Sequence, residues 1–99
     1  MDTQQMIQQI AEFFKTQPVQ KAWLFGSYSR GEERPDSDVD ILVRYDENER
    51  ISLMTITHMM NELKKAINRP VDLVEEDCLL PFAKESVNRD KYLIYERTV

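Results

Sequence analysis

Gly26-Ser27-Tyr28-Ser29-Arg30-Gly31-Glu32-Glu33-Arg34-Pro35-Asp36-Ser37-Asp38-Val39-Asp40-Ile41-Leu42-Val43 is the stretch on which the reading of this chain turns. A small-residue bend, Gly26-Ser27, stands ten residues ahead of an Asp-x-Asp strand. Side chains on a strand alternate between faces. Asp38 and Asp40 are therefore expected on one face, with Val39 and Ile41 turned to a core on the other. Two adjacent carboxylates repel unless a cation sits between them. Mg²⁺ suits the position, since it takes one or two carboxylates and completes its octahedron with water and substrate phosphates. Alternating Asp and Val would also fit an ordinary surface strand, so the bend carries the specificity. Gly26 allows backbone conformations closed to residues with a Cβ. Ser27 offers a hydroxyl and an N–H at the start of a helical turn, where free N–H groups and a positive dipole end attract an anion.

The elements around the stretch follow from periodicity. Met6, Ile7, Ile10, Ala11, Phe13 and Phe14 recur at helical steps; Asp2 or Thr3 can cap that helix, and Pro18 marks its end. Ala22 to Phe25 is a short buried strand stopped by Gly26. Tyr28 to Glu32 fits one or two helical turns, and Pro35-Asp36-Ser37 is turn chemistry. Asp38 to Arg44 is the clearest strand. After a solvated loop at Asp46-Glu47-Asn48-Glu49, a second long helix carries Leu53, Ile56, Met60, Leu63 and Ile67 on one stripe, and Asn68 and Pro70 end it. Val71 to Val74 is a third strand. Asp77 is expected to cap a short helix with Pro81 in its first turn and Phe82, Ala83 and Val87 on its inner face. Tyr92 to Tyr95 is a last strand. This order predicts an α/β (α+β) sandwich: a small mixed sheet covered on one face by two long helices. The second and third strands, joined by a helix, should run parallel. The other sheet face, with Asp38, Asp40 and Asp72, should stay open as a cleft.

Asp72 lies in the apolar strand Val71-Asp72-Leu73-Val74, where a buried acid is costly unless paired or metal-bound; the alternative is an edge Asp facing water. Arg30 could neutralise phosphate charge with its guanidinium, or pair with Glu32, Glu33 or Asp36. Gly31 is expected to end the short helical turn. Ser37 could hydrogen-bond a neighbouring carboxylate or only close the turn before the strand. Glu75, Glu76 and Asp77 read as loop acids beyond the strand end. His58 falls off its helix's apolar stripe and reads as a surface residue. Trp23, Phe25, Phe13, Phe14 and Phe82 fit a core. The methionines of Met54 to Met60 read as adaptable core filler, with Met59 offered instead as a protein-interface residue.

Ninety-nine residues suit a single domain, 1–99, with a modest core. A hydrophobic fraction of 41% and a charged fraction of 31% indicate a globular chain. The net charge of −5 disfavours a long nucleic acid held through its phosphates. Cys78 is the one cysteine, so no internal disulfide can form and a reducing cytoplasm is the expected setting. The polar N-terminus lacks the pattern of a signal peptide, and no apolar run approaches a membrane span.

The run Gly26-Ser27-x-x-Arg30-Gly31 followed by Asp38-x-Asp40 resembles the signature of the nucleotidyltransferase superfamily typified by DNA polymerase β. It is most similar to the minimal bacterial branch, the MNT antitoxins, and the likeness covers nearly the whole chain. Ser29 stands where the family commonly has Ala, a small departure. The resemblance implies a polymerase β palm-like fold and Mg-dependent transfer of AMP from ATP to a hydroxyl. It implies a two-metal site in which Asp38 and Asp40 hold Mg²⁺, Asp72 shares a metal and helps deprotonate the acceptor, and Gly26, Ser27, Arg30 and Ser37 serve the nucleotide. It further implies a HEPN-domain ribonuclease toxin as partner, neutralised by adenylylation of a tyrosine. Two other functions fit the same residues: a non-catalytic antitoxin that works by binding, and a nucleotidyltransferase acting on a small-molecule hydroxyl.

Overall fold

The computed structural model describes residues 2–26 and 38–97. Helix α1 (Thr3–Phe14) leads into strand β1 (Val19–Phe25), and β2 (Val39–Tyr45) follows the 26–38 connection. Helix α2 (Leu53–Ile67) precedes β3 (Val71–Glu75), a single 3₁₀ turn (Glu76–Cys78), α3 (Pro81–Asp90) and β4 (Tyr92–Glu96). The sheet order is β3-β2-β1-β4. Strands β2 and β3 are parallel, and β1 runs antiparallel to both β2 and β4. The mixed sheet and the parallel pair joined by a helix are those expected. Among the described residues no helix is long and apolar enough to cross a membrane.

Local chemistry explains the helix ends. Asp2 caps α1 in a reciprocal box: the Gln5 backbone N–H donates to Asp2 Oδ1 at 2.8 Å, and the Asp2 N–H donates to Gln5 Oε1 at 3.1 Å. Ser52 caps α2 by accepting from the Thr55 N–H at 3.2 Å. Asn68 ends α2 in the left-handed region at φ 55°, a conformation Asn tolerates. Helix α3 starts otherwise than expected. Asp77 lies in the 3₁₀ turn, Leu80 is the capping residue, and Pro81 takes the first helical position, where its fixed φ is already helical.

The core lies between α1, α2 and one sheet face. Met6, Ile10 and Phe14 of α1 and Met59, Leu63 and Ile67 of α2 meet Ala22 and Leu24 of β1 and Val39, Ile41, Val43 and Tyr45 of β2. Three sequence expectations are corrected here. Met59 is fully buried and is no interface residue; with Leu63 and Ile67 it forms an i, i+4, i+8 stripe. Leu53, in the first turn of α2, is 79% exposed although it falls on the apolar period. Phe82 is 80% exposed, because Ala83 and Val87, four residues apart, take the inner side of α3. His58 is exposed, as its place off the stripe predicts.

Candidate active site

The sheet face away from the core is organised in rows by strand register. Trp23 and Leu42 face each other in the middle row and belong to no part of the α1–α2 core. Leu93 of β4 and Val74 of β3 extend that row on either side. Trp23 is nonetheless only 6% exposed and Leu42 is fully buried. The Lys91 ammonium sits 4.4 Å from the Trp23 ring centroid and the Arg44 guanidinium 5.5 Å from it. The expectation of an open cleft along the whole face is therefore corrected: its middle is closed.

Next to this apolar row, at the C-terminal end of β2, lies a charged one. Lys21 is in register with Arg44 and with Glu96, and its Nζ lies 3.0 Å from a Glu96 carboxylate oxygen. Arg44 forms a fork with Glu76: Nε donates at 2.7 Å and Nη2 at 3.1 Å. This pair holds the Glu76 carboxyl below its ordinary range and raises Arg44. Glu76 is thus a structural partner rather than a loop acid. A cleft of about 790 Å³ opens beside it, bordered by Asp46, Glu47, Glu75, Asp77 and Lys84; Asp38, Asp40 and Asp72 are not in its wall.

The third row, at the start of β2, contains two of the three expected carboxylates, Asp40 and Asp72. Phe25 pairs with Asp40, and Asp40 pairs with Asp72 across the parallel β2–β3 ladder. Register partners on adjacent strands point the same way, about 4.8 Å apart at the backbone. Asp40 and Asp72 are therefore neighbours on one face, as expected of the parallel pair, and the register that sets them directly opposite each other is what the structure adds. The burial argument for Asp72 does not hold. Asp72 is exposed, because β3 is an edge strand, and its place beside Asp40 is what distinguishes it. Asp38 is also exposed and stands one residue ahead of β2 rather than within it. The strand begins at Val39, whose N–H donates to the Pro70 carbonyl at 2.9 Å and so joins the starts of β2 and β3.

Gly26 adopts φ +74°, the left-handed conformation anticipated for the bend. A Cβ on Gly26 would lie 2.5 Å from Asp40 Oδ2. The chain's turn thus closes directly on one carboxylate, a contact that nothing in the local sequence signals. Ser27, Arg30 and Ser37 lie outside the described residues, as do the short helical turn and the Pro35-Asp36-Ser37 turn.

The donor set fits a hard cation such as Mg²⁺: aspartate oxygens on one edge of a sheet, accessible from solvent. It is not a closed cage. Among the described residues no three His, Cys, Asp or Glu side chains converge as ligands. A metal here would take aspartate oxygens for part of its shell and draw its remaining ligands from water and phosphate, as Mg²⁺ commonly does.

A small mixed sheet backed by two helices, with aspartates at the adjoining starts of two parallel strands, is a nucleotidyltransferase fold. The sequence model of the family described as "Polymerase beta, Nucleotidyltransferase" matches residues 8–98. The chain belongs to this family. It is 38% identical over 72 residues to the protein adenylyltransferase MntA of Thermococcus cleftensis, covering 73% of this chain and 71% of that protein. It also matches a chain of a toxin–antitoxin crystal structure with AMP-PNP at TM-score 0.77 and 22% identity, covering 93% of this chain and 74% of the other. A complex of tri-AMPylated Shewanella oneidensis HEPN toxin with MNT antitoxin matches at TM-score 0.71 and 21% identity, covering 95% and 72%. At these identities the two structures speak for the fold.

Proposed function

We propose that this chain is the adenylyltransferase antitoxin of a toxin–antitoxin pair. It would transfer AMP from ATP to a tyrosine hydroxyl of a HEPN-type ribonuclease and so neutralise it. The observation that carries the reading is the register pairing of Asp40 with Asp72, beside a positive-φ glycine, in a chain of this family. The 38% identity to an MntA protein adenylyltransferase favours a protein acceptor, and the likeness to toxin–antitoxin structures favours a HEPN partner. The acidic charge of −5 suits a basic, RNA-cleaving partner better than a nucleic-acid acceptor.

In the transfer, the acceptor oxygen attacks the α-phosphorus, and the bond to the β-phosphate bridging oxygen breaks in line. Pyrophosphate leaves, and the acceptor proton passes to a carboxylate. Asp38 and Asp40 would hold the two Mg²⁺ ions, and Asp72 would help hold one of them and receive that proton. Bound there, the metal would polarise the phosphoryl oxygens and neutralise the charge of the leaving group. Gly26 and Ser27 would hold the β- and γ-phosphates, while Arg30 and Ser37 would assist at the nucleotide and the carboxylates. AMP on the toxin would place negative charge where RNA phosphate must bind.

Co-expression of the cognate HEPN toxin with wild-type or Asp38→Asn/Asp40→Asn protein, followed by intact mass measurement, tests the reading. The toxin should gain AMP only with the wild type. An unmodified toxin neutralised equally by both versions would overturn catalysis and support neutralisation by binding alone.

A further inference from the structure

Gly26 bears on Asp40 as well as on the bend that it opens. Beyond the 2.5 Å approach to Asp40 Oδ2, a Cβ on residue 26 would lie 3.4 Å from Asp40 Cγ and 3.5 Å from Asp40 Cβ. Oδ2 is thus the atom that a side chain at position 26 would displace, while Cγ and Cβ would lie at ordinary contact distance. The register explains why: Asp40 pairs with Phe25, the residue immediately before Gly26, so the chain turns away from the sheet across the Asp40 side chain. The Asp40 backbone is held on both sides, by β1 and by β3, and cannot slide away from a larger neighbour. Rotation of the carboxylate is the motion left to it.

We propose that Gly26 is a positioning residue for Asp40: the space left by its missing side chain makes room for the orientation in which a metal-binding carboxylate stands, and a Cβ there would turn it away. The inference rests on the reading of Asp40 as a metal-binding residue. It separates two demands on position 26. One is the left-handed backbone, which Asn also tolerates, as Asn68 does in this chain at φ 55°. The other is the absence of a Cβ, which Asn does not satisfy. Gly26→Asn should therefore fold and still disturb Asp40.

A double-mutant cycle without nucleotide or metal tests the contact. Thermal unfolding is measured for the wild type, Gly26→Ala, Asp40→Ala and the double variant. If the Cβ meets the carboxylate, the melting temperature lost through Gly26→Ala shrinks by on the order of 2–4 °C in the Asp40→Ala background, the low end of neighbour coupling because Oδ2 is the tip of a side chain that can rotate. Equal losses in both backgrounds would overturn the contact. If Gly26→Ala alone fails to fold, recovery of folding in the double variant supports the proposal, and failure in both backgrounds overturns it.

The second readout is Mn²⁺ affinity by calorimetry, again without nucleotide. Groups that orient a ligand typically change metal affinity by about 10–100-fold when altered. Folded Gly26→Ala and Gly26→Asn should both fall in that range. Unchanged affinity in either folded variant would overturn the positioning role. A wild-type chain that binds no Mn²⁺ would overturn the metal reading of Asp40, whereas the stability cycle would still report the contact on its own.

Discussion

Replacing Asp72 by Asn should make the protein more stable and less active at once. Asp72 and Asp40 are register partners on adjacent parallel strands, with backbones about 4.8 Å apart and side chains on one face. Like charges so placed destabilise a sheet by roughly 0.2–1 kcal/mol, the lower end applying where solvent reaches them, as it does at exposed Asp72. The amide keeps the shape and removes the repulsion. For a domain of this size, each kcal/mol moves the melting temperature by about 4–8 °C, so a rise of about 1–8 °C is expected at low salt. The gain should shrink as salt is added, because the Debye length falls to about 10 Å at 0.1 M. Mg²⁺ should raise the melting temperature of the wild type more than that of Asp72→Asn, because metal screens the same repulsion. Transfer in single-turnover assays should fall ~10²–10⁴-fold if Asp72 receives the acceptor proton. Calorimetric unfolding at two salt concentrations, with and without Mg²⁺, and a rate measurement with labelled ATP cover these expectations. A variant that is less stable at low salt, or that transfers AMP at the wild-type rate, would refute the reasoning.

Three further outcomes are expected. The Arg44 fork holds the Glu76 carboxyl below its ordinary value of 4.5, so its contribution is present above about pH 4.5 and is lost as pH falls through the depressed value; in urea titrations the wild type's advantage over Glu76→Gln should narrow below pH 4.5. Burial pushes Tyr45 from 10.0 up to about 12, so the unfolded chain ionises first and stability should decline as pH rises through that window; Tyr45→Phe should lessen this alkaline loss in circular-dichroism melts. Trp23→Ala removes a buried ring and two cation contacts, a loss of roughly 3–5 kcal/mol, a large part of a small domain's stability, whereas Trp23→Phe should retain much of it, as read by urea unfolding followed by circular dichroism.

Much of this protein was legible along the chain, because the decisive signals are local. The 3.6-residue period of Met6, Ile10 and Phe14 specifies a helix whatever it packs against. The alternation of Val39, Ile41 and Val43 with Asp40 and Leu42 specifies a strand and the face that each side chain takes. Gly26 marked a bend that needs a positive φ, and Asn68 with Pro70 marked the end of α2.

What tertiary structure decided was which of these surfaces meet. Periodicity assigns a residue to a face but not to a neighbour, so Leu53 falls on the apolar period and is exposed, whereas Met59, which reads as an interface residue, is buried. Phe82 looked like core by hydrophobicity alone, which is a one-way rule that leaves many apolar side chains in water. Trp23 was expected in the core and is buried, yet against the opposite sheet face, under Lys91 and Arg44 that lie far from it in sequence. The pairing of Asp40 with Asp72, and the seating of Asp40 against Gly26, depend on strand order and register. Those are set by long-range hydrogen bonds and by burial of one sheet face, neither of which a local pattern contains.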